Sequence, residues 1–347
     1  MARVAVGGAL VFSRYLVNDL GAADPTGRPP SGLLGWDADW YVRIVRAGYE
    51  HLPWEAMRFF PLLPVTASVL RPLLGARVAV LLVVNAAALV AGLLLVRLAK
   101  IERGDDALAA RAGWLLALLP PAFVLTMGYA EALFVCFAVA TFVGLRRERF
   151  WWAAAAGVLA GLSRPLGVLL VVPAVIEAVR AGRRVPAIQR VVAALAPAAG
   201  MGAYFAWSWL AFGDALRPVT AQQAFDRRGG FENPIGRLIE AARQLAGGTD
   251  LGSGLHLPWA VGFLVLLVVV FRRWPVSYGA FAAAILLVAL SADNLDSLER
   301  YGLSAFPLVL ALADVLRRRW AETAAIALCG AGLVTYATLA FLGAYVP

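Results

Sequence analysis

The hydrophobic pattern of the chain is a succession of long apolar runs separated by short polar stretches. A helix needs roughly 20 residues to cross a bilayer, and shorter apolar runs suffice where neighbouring protein fills the gap. Eleven runs are predicted to be membrane-spanning helices: 4–20, 76–99, 113–127, 129–145, 151–162, 166–179, 191–212, 257–271, 276–290, 303–316 and 321–341.

One further apolar segment, 59–74, is predicted not to cross the bilayer. Pro61 and Pro64 break its start and Arg71 interrupts it, and proline inside a helix removes a backbone hydrogen bond. With this segment on one face, the long polar loops 21–60 and 213–256 fall on the same side of the membrane.

The composition excludes a soluble globular domain. Of the 347 residues, 61% are hydrophobic and 15% are charged, with a mean hydropathy of +0.76, whereas soluble domains are about half apolar and about a quarter charged. We therefore predict an all-α fold, a polytopic transmembrane helix bundle that forms one domain over residues 1–347. Interfacial helices are expected in the first extracytoplasmic loop.

The basic residues indicate which loops share the cytoplasmic face. The formal net charge is +9, and the arginines concentrate in alternate loops, as the positive-inside rule requires. The clusters comprise Lys100, Arg103 and Arg111; Arg146, Arg147 and Arg149; Arg180, Arg183, Arg184 and Arg190; Arg272 and Arg273; and Arg317, Arg318 and Arg319. We predict a multi-pass protein of the cell membrane with its N-terminus in the cytoplasm and its C-terminus outside. A nucleic-acid partner is not expected from charge distributed in this way.

The opposite loops hold nearly all the carboxylates that have no basic cluster beside them. They are Asp24, Asp37, Asp39, Glu50, Glu55, Glu131, Asp214, Asp226, Glu232, Asp250, Asp293, Asp296 and Glu299. This asymmetry places the candidate chemistry on the extracytoplasmic face. The two histidines are far apart and both cysteines lie in apolar runs, so neither a metal site built on histidine nor a disulfide framework is expected.

The sequence WDADWY at 36–41 is the most informative motif of the first loop. Trp40, Ile44 and Ala47 share one face at helical spacing, which predicts an amphipathic helix at the membrane surface. Asp37 and Asp39 stand at the start of this helix, where its dipole favours carboxylates. One interpretation is an N-cap and a first-turn carboxylate. The other is a general base, because desolvation beside aromatic rings raises the pKa of a carboxyl group.

Polar residues in the other extracytoplasmic segments are candidates for substrate binding. Glu131 lies at the start of a predicted span. A carboxylate inside the membrane costs free energy and is therefore a candidate functional residue, although helix capping would also explain its position. Arg164 lies between two short spans and needs an anion, either a phosphate or a carboxylate such as Glu131 or Asp37. Arg300 poses the same alternatives. The loop around Gln222 could contact an acceptor, but its polar composition favours a solvated loop.

Together these motifs resemble a known family. WDAxWY at 36–41, GY at 48–49 and FFPLxP at 59–64 resemble the PIG-V-like mannosyltransferases. YxExLF at 129–134, SRPxG at 163–167 and RY at 300–301 look like further family positions, so the resemblance extends over residues 13 to 310.

The resemblance implies a GT-C glycosyltransferase that moves mannose from polyprenyl-phosphate mannose to an extracytoplasmic lipid or glycan acceptor. It assigns the essential acidic role of the first extracytoplasmic loop to Asp37, as the base of a single inverting displacement. The residues expected to bind substrate are Trp36, Asp39, Trp40, Tyr41, Arg58, Tyr129, Glu131, Arg164, Arg300 and Tyr301. Arg164 and Arg300 would stabilise the leaving phosphate.

Two alternative functions remain open at this point. A GT-C enzyme for another lipid-linked sugar shows the same pattern. A non-enzymatic lipid or solute transporter would need polar groups near mid-membrane, and here the carboxylates cluster in loops and at helix starts. No cofactor is required by the pattern; Asp37 and Asp39 could hold a divalent cation, but two carboxylates are too few to predict one.

Overall fold

The computed structural model describes residues 1–19, 32–223, 232–247, 256–292, 295 and 297–345. The regular elements of these residues are helices, as predicted: α1 Ala2–Asp19, α2 Asp37–Ala47, α3 Leu62–Arg103, α4 Asp106–Leu118, α5 Glu131–Arg146, α6 Phe150–Ser163, α7 Val171–Ala181, α8 Ala187–Phe212, α9 Arg217–Gln223, α10 Pro234–Gly247, α11 Leu257–Arg273, α12 Val276–Leu290, α13 Leu298–Ser304, α14 Pro307–Val315 and α15 Arg319–Phe341. Short 3-10 turns cover Gly32–Leu34, Trp54–Arg58, Pro120–Leu125, Pro165–Leu170 and Gly182–Arg184.

Ten of the eleven predicted spans correspond to one helix, to part of one helix or to a helix joined to a short turn, and the span 303–316 covers the end of α13 and all of α14. Four segments among the described residues are long and apolar enough to cross a membrane by length and composition: Leu62–Arg103, Pro165–Arg184, Ala187–Phe212 and Arg319–Phe341. Two shorter apolar helices are Phe150–Ser163 and Val276–Leu290. The fold class is therefore confirmed, while the number of crossings stays a prediction.

Most of the segment 59–74 forms the first part of α3, which begins at Leu62. The helix is kinked at Gly75, whose φ of 72° and ψ of 159° are not helical. The part before the kink spans about 20 Å at 1.5 Å per residue, which is less than the roughly 30 Å hydrocarbon core. Its length agrees with a segment that lies at the interface.

Contacts divide the polar loops into two groups, as the charge pattern predicts. In the arginine-rich group, the buried carboxylate of Asp314 accepts ion pairs from Arg103 at 3.6 Å, from Arg273 at 3.7 Å and from Arg317 at 2.7 Å. A second set joins Arg146 to Glu102 and Glu177. Loops from distant parts of the chain thus meet at one end of the bundle. The assignment of that end to the cytoplasm stays a prediction.

The loop 213–256 is more structured than the sequence indicates. It contains α9 and α10, and the Gln222 side chain donates a hydrogen bond to the Arg58 carbonyl at 3.0 Å. Ala221 is fully buried against the turn that carries Arg58. The prediction of a solvated loop is wrong for this part, because small and amide side chains pack α9 onto the first loop. Residues 224–231 and 248–255, including Asp226 and Asp250, lie outside the described residues.

Glycines allow the helices behind the site to approach closely. A Cβ atom on Gly161 of α6 would lie 2.2 Å from the Pro197 carbonyl oxygen of α8, and one on Gly200 would lie 2.2 Å from the Val158 carbonyl oxygen. Small residues at helix contacts are a common means of packing within membranes. This contact fixes the end of α6, where Arg164 begins the next turn.

Candidate active site

Asp37 lies at the centre of a cluster of charged residues contributed by five separate parts of the chain. Its Oδ1 atom is 3.3 Å from Arg58 Nη2, and its Oδ2 atom is 3.2 Å from Arg300 Nη1. The backbone N–H of Asp37 donates to the Tyr129 hydroxyl at 3.4 Å. The Asp37 side chain is 32% exposed, whereas the two arginines are 11–12% exposed. The carboxylate is therefore held by buried partners but remains open to a reactant.

Glu131 and Arg164 complete the cluster. The Glu131 carboxylate is 3% exposed and pairs with Arg164 through Oε1, while the same oxygen is 3.2 Å from Arg300 Nη1. Arg300 thus bridges Asp37 and Glu131. The structure thus gives Arg164 a carboxylate partner within the candidate site, and its binding of a phosphate stays a prediction. Among the described residues, three guanidinium groups meet two carboxylates in this cluster, an arrangement suited to a bound anion.

Trp36 gives the start of α2 an unusual backbone. Its φ of 57° and ψ of −130° are strained for a residue with a side chain, and such strain persists only where surrounding contacts determine it. The indole Nε1 donates to the Ala340 carbonyl at 3.0 Å. The hydrogen bond anchors the residue that precedes Asp37 and turns the first helical residue toward the arginines.

Aromatic rings enclose one side of the cluster. Trp40 stacks on Phe59 with 5.6 Å between ring centroids, and Tyr41 meets Phe59 edge-on at 5.1 Å. The Arg58 guanidinium lies 4.6 Å from the centroid of the Phe59 ring. The FFPLxP motif therefore supports the cluster through ring contacts. Since guanidinium groups interact favourably with aromatic faces, these rings help to hold the cation in place.

Rings also support the other two arginines. The Arg300 guanidinium lies 5.3 Å from the Tyr129 ring centroid, and that of Arg164 lies 5.7 Å from the Tyr301 ring centroid. The two tyrosines that the sequence singles out thus contact the arginines of the cluster.

The pKa of Asp37 is shifted in the direction opposite to the sequence-based expectation. Burial raises the pKa of the Asp37 carboxyl, but the positive charges of Arg300 and Arg58 outweigh burial, and the resulting pKa is below its ordinary value. The expectation was wrong because it considered the aromatic surroundings and not the long-range arginine partners. In this arrangement Asp37 is ionised at neutral pH and is a weak base.

Asp39 does not join the cluster. It is exposed on α2, and residues two apart on a helix point in different directions. The described residues contain no group of three or more side chains suited to hold a metal ion, and both oxygens of Asp37 face guanidinium groups. The donor set on α2 therefore does not fit a divalent cation shared by Asp37 and Asp39.

Two polar contacts of the site are not predicted by the sequence. Gln222 holds the backbone of Arg58, and Ser297 accepts a hydrogen bond from Arg300 Nη2 at 3.0 Å. Ser297 also has a positive φ of 68°, an uncommon conformation that concentrates at functional sites. No local pattern indicates either contact. Asp293 and Asp296, which are close to Ser297 in the sequence, lie outside the described residues.

Gly128 sets the distance between the turn that carries Tyr129 and the helix that carries Asp37. A Cβ atom there would lie 2.9 Å from Val80 Cγ1 and 3.0 Å from Ala38 Cβ, so Gly128→Ala should separate the two elements. We expect overpacking to lower the free energy of unfolding by about 1–3 kcal/mol, which is measured as a lower unfolding temperature in detergent. Gly92→Ala is the matched control, since nothing lies within 4 Å of that position. Equal unfolding temperatures for the two variants would contradict this account.

The architecture matches that of a solved membrane enzyme. The crystal structure of ArnT from Cupriavidus metallidurans bound to undecaprenyl phosphate superposes with a TM-score of 0.56 and 16% sequence identity, covering 98% of this chain and 76% of that chain. At this identity the likeness establishes the fold. The helical bundle, with its acidic and basic cluster at one end, therefore defines the class as a membrane protein of the GT-C glycosyltransferase fold.

A family comparison adds a likeness in sequence. Residues 26–176 match the family described as Mannosyltransferase (PIG-V), a range that includes Asp37, Arg58, Glu131 and Arg164 but not Arg300. No curated protein matches the chain in sequence. The chain is therefore similar to the PIG-V-like glycosyltransferases of the GT-C class.

Proposed function

We propose that this enzyme transfers mannose from polyprenyl-phosphate mannose to a hydroxyl group of an extracytoplasmic lipid or glycan. The observation that carries the proposal is the single cluster in which Arg300 bridges Asp37 and Glu131. A carboxylate that is partly exposed and faced by buried guanidinium groups combines a proton acceptor with a phosphate site. The matched family supports mannose, and the undecaprenyl phosphate bound to ArnT supports a lipid phosphate.

The reaction is a single displacement. Asp37 accepts the proton of the acceptor hydroxyl, whose oxygen attacks the anomeric carbon as the bond from that carbon to the phosphate oxygen breaks. Polyprenyl phosphate leaves with the bonding electrons, and its growing negative charge is stabilised by Arg300 and Arg164. The configuration at the anomeric carbon is inverted.

Donor binding would activate the base. Arg300 Nη1 contacts both Asp37 Oδ2 and Glu131 Oε1 at 3.2 Å, so a phosphate that binds this guanidinium competes with both carboxylates. Weakening the contact between Arg300 and Asp37 removes the largest of the causes that lower the pKa of Asp37, and the carboxylate becomes a stronger base when the donor is in place. The enzyme would then deprotonate an acceptor only beside a bound donor.

The isoprenoid tail has a suitable surface on the first part of α3. Val65, Val69 and Leu73 are 58%, 74% and 86% exposed and lie on one helical face at a spacing of four residues. This stripe begins at Val65, four residues after Pro61 of the FFPLxP motif, and extends away from the ring contacts of the site. We assign it to the tail of the donor and to surrounding lipid.

A panel of labelled donors tests the proposal and its nearest alternative. Purified protein in lipid would receive polyprenyl-phosphate mannose, glucose or arabinose together with a cell-envelope lipid extract. We expect label to leave the mannose donor and to appear in an acceptor fraction. Transfer from another donor alone would establish the GT-C enzyme for a different sugar. Label that leaves none of the donors, while a control transferase is active, would refute the donor class.

The predicted orientation is tested by cysteine labelling of intact cells. Both native cysteines are first replaced by alanine, and single cysteines are placed at Asp39 and Arg147, which are exposed in the structure. A membrane-impermeant maleimide is expected to label position 39 from outside and position 147 only after the membrane is opened. The reverse pattern would place the cluster in the cytoplasm.

A further inference from the structure

A second buried polar cluster lies directly behind the candidate active site. Glu299 precedes Arg300 on α13, and its side chain is 1% exposed. Its Oε1 atom is 2.6 Å from His256 Nδ1, and its Oε2 atom accepts a hydrogen bond from the Tyr345 hydroxyl at 3.1 Å. A buried carboxylate is costly unless it has such partners. Within the described part of the chain, Glu299 makes no ion pair with the arginines of the active site, so the proposed reaction leaves its burial unexplained.

Tyr345 ties this cluster to the end of α15. Its ring packs against Tyr336 at 4.9 Å, Phe123 at 6.4 Å and His256 at 6.5 Å between centroids. Burial and the neighbouring Glu299 raise the pKa of the Tyr345 phenol, so the hydroxyl stays protonated and donates to the carboxylate.

The same end of α15 contacts the other half of the active site. Its Ala340 carbonyl accepts the indole hydrogen bond of Trp36 at 3.0 Å. Trp36 precedes Asp37, just as Glu299 precedes Arg300. One short segment, 340–345, therefore contacts both Trp36 and Glu299. These two residues directly precede Asp37 and Arg300, which form the 3.2 Å ion pair.

We propose that Tyr345, acting through Glu299, is a positioning residue that holds Arg300 where its guanidinium can bridge Asp37 and Glu131 and receive the donor phosphate. The inference rests on the proposed function for its catalytic readout. The residues at the two strained turns, Trp36 and Ser297, keep their positive φ angles of 57° and 68° because fixed neighbours determine them. Removing the Tyr345 hydroxyl leaves one Glu299 oxygen buried without its donor and lets the start of α13 shift.

Tyr345→Phe tests the proposal, because it keeps the ring and removes only the hydroxyl. Affinity for undecaprenyl phosphate is measured directly by native mass spectrometry, and transfer is measured as kcat and donor KM. We expect about a tenfold loss in undecaprenyl-phosphate affinity and in kcat, the size of one hydrogen bond to a charged group. Tyr336→Phe is the matched control, since its ring packs on Tyr345 but its hydroxyl accepts from Trp259; both of its values should equal those of wild type.

A double-mutant cycle shows whether Tyr345 acts through Arg300. In an Arg300→Lys background, Tyr345→Phe should cause no further loss of phosphate affinity, because the guanidinium that it positions is already gone. Additive losses, or a Tyr345→Phe variant that differs from wild type only in unfolding temperature, would overturn the proposal. His256→Gln provides a second variant if Tyr345→Phe folds poorly, with the same expected pattern.

Failure of this inference is distinguishable from failure of the proposed function. A wild-type protein that transfers no mannose, but whose affinity for undecaprenyl phosphate falls in Tyr345→Phe, would refute the proposed function and keep the positioning role. A wild type that transfers mannose, with unchanged affinity and kcat in Tyr345→Phe, would do the opposite.

Discussion

Asp37→Asn is expected to lower the rate of mannosyl transfer by about 10²–10⁴-fold, the contribution of a positioned general base. The substitution preserves the shape of the side chain and removes the group that accepts the acceptor proton. It also removes the negative charge that faces Arg58 and Arg300. The measurement is single-turnover transfer from labelled donor, which reports chemistry rather than product release.

Binding of the product undecaprenyl phosphate distinguishes the loss of the general base from misfolding of the variant. Because the repulsion between the Asp37 carboxylate and a phosphate is gone, undecaprenyl phosphate should bind Asp37→Asn as tightly as wild type or more tightly. Glu50→Gln serves as the control: Glu50 is an exposed carboxylate of the same loop, and its variant should transfer at the wild-type rate. Normal turnover by Asp37→Asn would remove this residue from the mechanism.

Arg300→Lys is expected to reduce kcat by about 10²–10³-fold, as the loss of a donor to a developing negative charge does. The guanidinium bridges Asp37 and Glu131 and donates to Ser297 at the same time. A lysine ammonium is a point charge that cannot reproduce this planar set of donors. Transfer kinetics and undecaprenyl-phosphate affinity should both decline in this variant.

The contrast between the two variants is the informative result. Asp37→Asn loses rate and keeps affinity for the lipid phosphate, whereas Arg300→Lys loses both. Arg46→Lys is the matched control, because the Arg46 side chain is exposed at the end of α2. If Arg300→Lys bound undecaprenyl phosphate as wild type does, the phosphate would have to bind elsewhere.

Much of the site could be predicted from the sequence because the order of helices and loops places alternate loops together. Charge asymmetry assigned Asp37, Glu131, Arg164 and Arg300 to the same group of loops, and the structure brings these four into one cluster. The start of α2 was likewise predicted, since acidic residues and a helical apolar face mark it locally.

What could not be predicted depends on contacts between distant residues. The sign of the Asp37 pKa shift follows from Arg300, which lies 263 residues away, and no local pattern encodes their 3.2 Å contact. The strained backbone of Trp36 depends on a carbonyl group in the last helix. The packing of α9 on the Arg58 turn is equally non-local, so its polar sequence alone indicated a solvated loop.

The anomeric configuration of the product tests the central claim most directly. Purified wild-type enzyme would convert polyprenyl-phosphate mannose of known configuration, and nuclear magnetic resonance would report the new glycosidic bond before any secondary reaction. A single displacement at the Asp37 cluster predicts a product of inverted configuration, formed by wild type and about 10²–10⁴-fold more slowly by Asp37→Asn. A product that retains the donor configuration, or equal product from both proteins, would contradict the mechanism.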